Sequence, residues 1–261
     1  MGMDLNLEGR HALVCGGSRG IGRACAGALA GLGARVTVSA RDERALIEAV
    51  RALPGSGHGY LVADFADTGA LSQLLAAFVE RHGPIGILVN NSGGPPAGPA
   101  HTAEPAAFRA AFEQHVIGNQ ITLAAVLPGM KNSGYGRIVN IISTSVKEPI
   151  EGLGVSNTIR GAVASWAKTL AAELGPFGIT VNNVLPGFTR TERLAALFEG
   201  KAKRQGRGIA EIEEQARRSV PLGRFAEPDE IANAVAFLAS PAAGYINGVN
   251  LPVDGGRTGS L

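Results

Sequence analysis

The sequence predicts a single α/β domain built on a doubly wound parallel sheet of about seven strands. Short apolar runs alternate with longer segments of helical period along the whole chain, and the runs are apolar at nearly every position. Such runs are typical of parallel strands covered by helices on both faces, joined by right-handed crossovers. No linker, repeat or change of composition divides residues 1–261, so the sequence indicates one domain.

The individual elements follow from the period of the apolar residues. Compact apolar runs are predicted strands, and segments with an apolar residue at every third or fourth position are predicted helices. The strands are 11–16, 34–40, 59–64, 85–91, 136–142, 178–185 and 247–253. The helices are 19–32, 42–53, 67–82, 103–130, 155–174 and 228–239. The helix over 103–130 is expected to be bent or interrupted, and the charged segment 188–218 is predicted to form a helical substrate lid.

Composition narrows the class of protein. A net charge of +2 gives no indication of a nucleic-acid partner. The first residues lack the apolar core of a signal peptide, and no apolar run approaches the ~20 residues that span a bilayer. Cys15 and Cys25 have no metal-ligand spacing, and the histidines are dispersed. We therefore expect a cytoplasmic protein with no metal, no nucleic acid and no membrane partner.

The loop after the first predicted strand reads "GGSRGIG". In a doubly wound sheet, ligands lie beyond the carboxyl ends of the strands. Glycines without a Cβ let the backbone approach a pyrophosphate, and the helix that follows offers free N–H groups and the positive end of its dipole. This context predicts a dinucleotide site. The predicted contacts are Gly16, Ser18, Arg19, Gly20, Ile21 and Gly22.

The residue after the second predicted strand bears on cofactor choice. A carboxylate at that point would accept bonds from a free ribose 2′-hydroxyl, whereas the sequence has Arg41. A guanidinium pairs with a 2′-phosphate, and Arg19 is expected to reach the same group. The pair favours NADP(H). NAD(H) remains the alternative because Asp42 is adjacent.

Three further strand ends carry candidate cofactor contacts. Asp64 follows strand three and is positioned to accept a bond from an adenine amino group. The run "NNSGG" after strand four leaves room for the cofactor. After strand six, the backbone and the Thr191 hydroxyl are expected to hold a carboxamide. The predicted contacts at these ends are Asp64, Phe65, Asn90, Gly93, Pro186, Gly187 and Thr191.

Longer motifs carry a family resemblance over nearly the whole chain. They are "GGSRGIG", "NNSGG", "GRIVNIIS", "LAAELGPFGITVNNVLPG" and "NGVNLPVDGG". Together they resemble the short-chain dehydrogenase/reductase family, and most closely its 3-oxoacyl-(acyl carrier protein) reductase branch. The resemblance implies a Rossmann-type domain that interconverts a small-molecule carbonyl and alcohol with NAD(P)(H). It also implies a homotetramer or a dimer.

The resemblance assigns the catalytic positions and reveals substitutions. The family's serine matches Ser143, and the two hydroxyl residues that follow leave open which one faces the site. The family's tyrosine position is Ser156, and its lysine position is Arg160. The asparagine of the helix after strand four is His115. Only the serine is retained.

These substitutions alter the chemistry that the family would perform. Arg160 shares a helix face with Ser156 and cannot release a proton, because guanidinium stays charged. Arg160 is still expected to bind the cofactor by donating to its ribose hydroxyls. Ser156 is a poorer acid than tyrosine and leaves a space for water or substrate. His115, with an ordinary pKa near 6.5, either feeds protons through a water or only packs within its helix. Two functions remain open: a reductase with an altered proton relay, or a nucleotide-binding homologue without redox chemistry.

Overall fold

The computed structural model describes residues 2–260, and its centre is a parallel sheet with strand order β3-β2-β1-β4-β5-β6-β7. The change of direction between β1 and β4 makes the sheet doubly wound, as the sequence predicts. Each strand lies within a predicted apolar run or extends it by one residue. The strands are β1 His11–Cys15, β2 Arg35–Ala40, β3 Gly59–Val62, β4 Ile87–Asn90, β5 Gly136–Ile141, β6 Ile179–Pro186 and β7 Asn250–Val253.

Helices cover both faces of the sheet. The predicted helix over 103–130 is interrupted by a π-helical segment, Glu113–Ile117, and the predicted lid over 188–218 consists of two helices. The lid helices separate at Gly206, which has a φ of +63°. The α-helices are α1 Gly20–Gly31, α2 Glu43–Arg51, α3 Thr68–His82, α4 Pro105–Phe112, α5 Gly118–Ser133, α6 Gly154–Leu174, α7 Glu192–Gln205, α8 Ile209–Arg218 and α9 Pro228–Ala239.

The core forms two apolar layers, one on each face of the sheet. Ala12 and Val14 of β1 pack into the layer beneath α1 and α9. Leu13 and Cys15, which alternate with them, pack into the opposite layer beneath α3, α5 and α6. Alternate residues of a strand point to opposite faces, so continuous apolar strands are needed to fill both layers.

Four asparagine side chains form a row of hydrogen bonds across strands β4 to β7, which we call the asparagine ladder. Asn90 Nδ2 donates to Asn140 Oδ1 at 2.8 Å, and Asn140 Nδ2 donates to Asn183 Oδ1 at 2.9 Å. Asn183 Nδ2 then donates to Asn250 Oδ1 at 2.8 Å. The four residues are direct partners in the strand register. Paired amides fix the register of β4 to β7.

The helices between residues 2 and 260 are too short or not apolar enough to cross a lipid bilayer.

Candidate active site

The turn after β1 brings three glycines against one another. Gly16 and Gly20 have φ angles of +60° and +51°, which side chains disfavour. A Cβ on Gly22 would lie 2.1 Å from the Gly16 carbonyl oxygen, so only glycine fits there. Asn91 Nδ2 donates to the same oxygen at 3.2 Å and ties the turn to the end of β4. The result is an open backbone surface at the carboxyl edge of the sheet.

Helix α1 begins directly after this turn. Arg19 is its N-cap in an extended conformation, and no side chain caps the first N–H groups of the helix. Ser18 and Ile21 are partly buried in the same turn. An uncapped helix start beside side-chain-free backbone is suited to an anion, and the turn therefore fits a dinucleotide pyrophosphate.

Two arginines lie at the end of β2 and the start of α1. Arg19 contacts Asp42 and Glu192, each at 3.3 Å, and thereby spans from the start of α2 to the start of the lid. Asp42 also caps α2 by accepting a bond from a backbone N–H. Arg41 is exposed at the end of β2. Exposed ion pairs contribute little free energy, so these contacts hold Arg19 only weakly.

The predicted contacts after β3 and β4 differ in their accessibility. Asp64 is exposed, and its Oδ1 accepts a backbone N–H two residues further on at 3.0 Å. Phe65 is buried. The amide nitrogen of Asn90 is committed to the ladder, so its side chain lies within the sheet and not in the cleft. Gly93 is exposed in the following loop.

The segment after β6 closes the cleft from the opposite side. Pro186 ends β6, and a Cβ on Gly187 would lie 2.7 Å from Asp254 Cα, so β7 approaches closely there. Thr191 caps α7, with its Oγ1 accepting from a backbone N–H at 3.3 Å. The Thr191 methyl carbon would lie 3.3 Å from a Cβ on Gly20. The structure therefore brings the start of the lid against the glycine turn, as their predicted shared role requires.

Ser143 is the most accessible of the three hydroxyl residues after β5. Ser143 is partly exposed, whereas Thr144 and Ser145 are buried. Its Oγ accepts the Ser145 backbone N–H at 3.0 Å. Arg257 from the end of the chain lies 3.4 Å from the Thr144 hydroxyl, which is therefore engaged elsewhere. Ser143 is therefore the most exposed of the three candidates, and its role stays a prediction.

Ser156 and Arg160 lie on the same face of α6, and both are buried. Arg160 Nη1 donates to the Ile141 carbonyl oxygen at 3.2 Å, at the end of β5 and two residues before Ser143. Burial, with a smaller effect of the nearby Arg193 charge, lowers the pKa of Arg160 to about 10. The guanidinium is therefore still charged at neutral pH and sits beside the retained serine.

His115 lies in the π-helical segment and is 1% exposed. Its Nδ1 lies 2.7 Å from Ser92 Oγ, and its Nε2 has no hydrogen-bond partner. Burial, and then the charge of Arg160, lower the pKa of His115 to about 3. The imidazole is consequently neutral at pH 7, so it cannot supply a proton as an imidazolium there.

Sequence reasoning missed one residue that the fold brings to this cluster. Arg193 Nη2 donates to the Pro95 carbonyl oxygen at 2.6 Å, and the guanidinium lies beside Gly94 in the loop after β4. Burial lowers the pKa of Arg193, although the residue as a whole is exposed. The sequence did contain one indication that Arg193 is unusual. Its positive charge lies in the first turn of α7, where the positive end of the helix dipole makes a cation unfavourable.

Comparisons with known proteins agree with the fold. A family model described as enoyl-(acyl carrier protein) reductase matches residues 16–258. Trans-4-hydroxycyclohexanecarboxylate dehydrogenase of Sinomonas cyclohexanicum is 37% identical, with 95% of this chain and 92% of the relative covered. The 3-oxoacyl-(acyl-carrier-protein) reductase FabG of Vibrio cholerae is 35% identical, with 97% and 98% covered.

A solved structure extends the likeness to three dimensions. L-sorbose reductase of Gluconobacter frateurii, crystallised with NADPH and L-sorbose, superposes with a TM-score of 0.92. The two chains are 29% identical, and 99% of this chain and 100% of the other are covered. With a family model and two curated relatives spanning nearly its whole length, the chain belongs to the short-chain dehydrogenase/reductase family.

Proposed function

We propose that the chain is an NADP(H)-dependent oxidoreductase that interconverts a carbonyl and an alcohol, with 3-oxoacyl-(acyl carrier protein) reductase-like chemistry and an altered proton relay. One observation carries the proposal. The glycine turn after β1 and the Ser143, Arg160 and His115 cluster lie along the same carboxyl edge of one sheet. A dinucleotide bound across that edge has its reactive end beside the cluster. As in the related family, we propose a cytoplasmic homotetramer or dimer.

The cofactor is held by residues along this edge. The turn of Gly16 to Gly22 binds the diphosphate, and Arg19 and Arg41 bind the 2′-phosphate. Asp64 accepts a bond from the adenine, and Thr191 holds the carboxamide. When bound, NADPH supplies a hydride to the carbonyl carbon. The NADPH that accompanies the sorbose reductase neighbour supports this choice.

The chain itself polarises the carbonyl group. Ser143 donates its hydroxyl hydrogen to the carbonyl oxygen, where negative charge develops as the carbon is reduced. Arg160 adds a fixed positive charge next to that oxygen, and its anchor on the Ile141 carbonyl oxygen holds it in place. Because its pKa is about 10, this charge is present throughout the neutral range.

The proton for the new alcohol comes from water. No phenol stands at Ser156, and His115 is neutral because its pKa is lowered to about 3. We assign the proton to a water in the space that the family's tyrosine ring would fill, passed through the Ser156 hydroxyl. Loss of a positioned general acid costs typically ~10²–10⁴-fold in rate. Slow turnover is therefore expected.

A second candidate is a nucleotide-binding homologue that does not turn over. The observation that favours it is the replacement of the tyrosine and lysine positions by Ser156 and Arg160. The substitutions remove the usual proton donor and its charged neighbour together. A protein that only binds the nucleotide still requires the glycine turn but has no need of Ser143.

One experiment separates these functions. Nicotinamide fluorescence measures the binding of NADPH and NADH, and NADPH absorbance then follows turnover of 3-oxoacyl thioesters, diketones and quinones. We expect tighter binding of NADPH and slow oxidation that Ser143→Ala abolishes. Tight binding without oxidation by any compound would establish the second candidate. Absence of binding by either nucleotide would overturn both.

A further inference from the structure

Two arginines from different helices converge at the catalytic end of the cleft. Arg160 of α6 is 8% exposed, and Arg193 of α7 turns its guanidinium inward toward the loop after β4. The loop after β4 connects the two arginines: Pro95 accepts the bond from Arg193, and Ser92 of the same loop contacts His115, whose helical segment packs in one apolar cluster with α6. Like charges repel one another, and Arg160 is largely removed from water, so its charge is costly without an anionic partner.

Neither guanidinium has a carboxylate partner among residues 2–260. Arg160 donates to the Ile141 carbonyl oxygen, and Arg193 donates to the Pro95 carbonyl oxygen. The carboxylate of Glu192, although adjacent in sequence, is turned to Arg19. Neutral carbonyl groups accept hydrogen bonds but do not cancel a net charge. The charge of the buried Arg160 therefore remains uncompensated, whereas buried arginines are normally paired, and the more exposed Arg193 adds a second positive charge.

A buried polar atom of a third residue supports a ligand at the same place. His115 Nε2 lacks a hydrogen-bond partner and lies near enough to Arg160 to feel its charge. When Nδ1 accepts the hydrogen of the Ser92 hydroxyl, Nε2 carries a hydrogen and is a donor. Buried polar groups are rarely left unsatisfied in native proteins. The cluster thus offers two guanidiniums and one N–H to a missing acceptor.

The anion that fits here is not the cofactor diphosphate. The glycine turn that accommodates a diphosphate follows β1, whereas Arg160 is anchored at the end of β5. Strand β4 lies between β1 and β5, and neighbouring strands are ~4.8 Å apart, so the two positions are separated by roughly 10 Å. The arginine pair is therefore on the side of the carbonyl substrate.

We infer that the substrate is a carbonyl compound that carries a carboxylate, held by Arg160 and Arg193. This inference rests on the proposed function and specifies its substrate class. A planar carboxylate accepts paired hydrogen bonds from a guanidinium fork and supplies the absent negative charge. Binding of the carboxylate next to Ser143 then orients the carbonyl of the same small molecule.

The test measures binding and does not need turnover. Protein saturated with NADP⁺ is titrated calorimetrically with pyruvate, acetoacetate and levulinate, and with the amide of each acid. The series varies the separation of carbonyl and carboxylate, and each amide keeps the shape without the charge. We expect at least one acid to bind about tenfold more tightly than its amide, because hydrogen bonds to charged groups are strong.

Three variants locate the effect. Arg193→Gln and Arg160→Gln should each remove the preference for the acid. Arg204→Gln is the matched control, since it removes one exposed positive charge from the same lid helix. It should retain the preference. Arg193→Gln should leave the NADP⁺ dissociation constant within about threefold, since we place the diphosphate elsewhere.

The inference is wrong if no acid binds better than its amide, or if the preference survives both substitutions. It is also wrong if Arg193→Gln weakens NADP⁺ binding as much as acid binding, because the anion would then belong to the cofactor. The proposed function fails separately. If acids bind through the arginines but NADPH is never oxidised, the anion site stands and the proposed reductase function is wrong. If NADPH is oxidised but no acid is preferred over its amide, the reductase function stands and the anion site is wrong.

Discussion

Nδ1 of His115 lies 2.7 Å from Oγ of Ser92, and this contact joins a π-helical segment to the loop after β4. The segment carries an extra residue per turn, which changes the direction of the side chains it presents. The wider turn is accompanied by close approach of Gly118, where a Cβ would lie 2.9 Å from the Phe65 carbonyl oxygen. His115 is buried there, and burial lowers its pKa so that the imidazole is neutral at pH 7.

Acid should destabilise the fold through this histidine. The pKa of His115 is about 3 in the folded protein, against an ordinary value of 6.5, so the unfolded chain binds the proton more readily. The stability is therefore complete above pH 6.5 and declines as the pH falls toward 3. Between pH 7 and pH 5 we expect His115 to account for a loss of about 2 kcal/mol, measured by urea denaturation.

His115→Asn should remove that part of the acid sensitivity. His101→Asn is the control, because His101 is exposed in a short helical turn. The buried His11, whose pKa is lowered to about 4 by burial and then by Arg35, remains in both variants and keeps a residual slope. An unchanged difference between pH 7 and pH 5 in His115→Asn would refute the neutral, buried state.

Gly22→Ala should weaken NADPH binding. The added Cβ would lie 2.1 Å from the Gly16 carbonyl oxygen, so the turn must move and lose its fit to the diphosphate. We expect affinity to fall at least about tenfold in a fluorescence titration. Gly27→Ala, on the same helix with open space around its Cβ, should bind NADPH normally and be more stable by up to about 1 kcal/mol. Equal affinities in the two variants would contradict the proposed role of the turn.

Asn140→Ala should weaken the catalytic half of the sheet. The substitution leaves Asn90 without its acceptor and Asn183 without its donor, and Asn90 and Asn183 are both buried. Because buried polar groups are left unpaired, we expect the free energy of unfolding to fall by about 3 kcal/mol. Asn250→Ala shortens the ladder at its exposed end and should cost less than about 1 kcal/mol, because water replaces its side chain. Similar urea midpoints for the two variants would show that the ladder contributes little.

The sheet was predictable because its strands are buried on both faces. The predicted run 85–91 contains β4, Ile87–Asn90, and every residue of that strand is buried. A strand buried on both faces has no side turned to water, so the local sequence is enough to identify it as a strand of the sheet. The break in the helix over 103–130 was expected, but its π-helical form was not, and Gly118 just after it packs closely against the distant Phe65 carbonyl oxygen.

The site was predictable only as far as local position determines it. Ser156 and Arg160 are four residues apart on a helix, so their shared face follows from the helical period. The contact between Arg193 and the Pro95 carbonyl oxygen joins positions 98 residues apart. No local pattern specifies such a contact, since it depends on how the lid packs over the loop after β4. The roles of these residues stay predictions until binding and turnover are measured.

Arg41→Ala should change the choice of cofactor more than the fold. Its exposed guanidinium at the end of β2 is assigned to the 2′-phosphate, which NADH lacks. Loss of one charge-assisted contact should weaken NADPH binding about tenfold and NADH binding less than about twofold. Arg44→Ala removes a similar exposed charge from α2 and should alter neither affinity. An equal loss for both nucleotides in Arg41→Ala would remove the basis for the NADP(H) preference.

The double substitution Ser156→Tyr with Arg160→Lys restores the family's proton donor and its cationic neighbour on one face of α6. A phenol reaches further than the serine hydroxyl and is a stronger acid, so it delivers a proton directly to the new alkoxide. NADPH oxidation should rise by ~10²-fold or more with an uncharged ketone or 3-oxoacyl thioester, since general acid catalysis contributes that much. Ser156→Tyr alone is the matched control and should gain less, because Arg160 keeps its anchor on the Ile141 carbonyl oxygen and lies where the lysine would act. If the double variant folds and binds NADPH but oxidises it no faster, the pocket serves a different reaction.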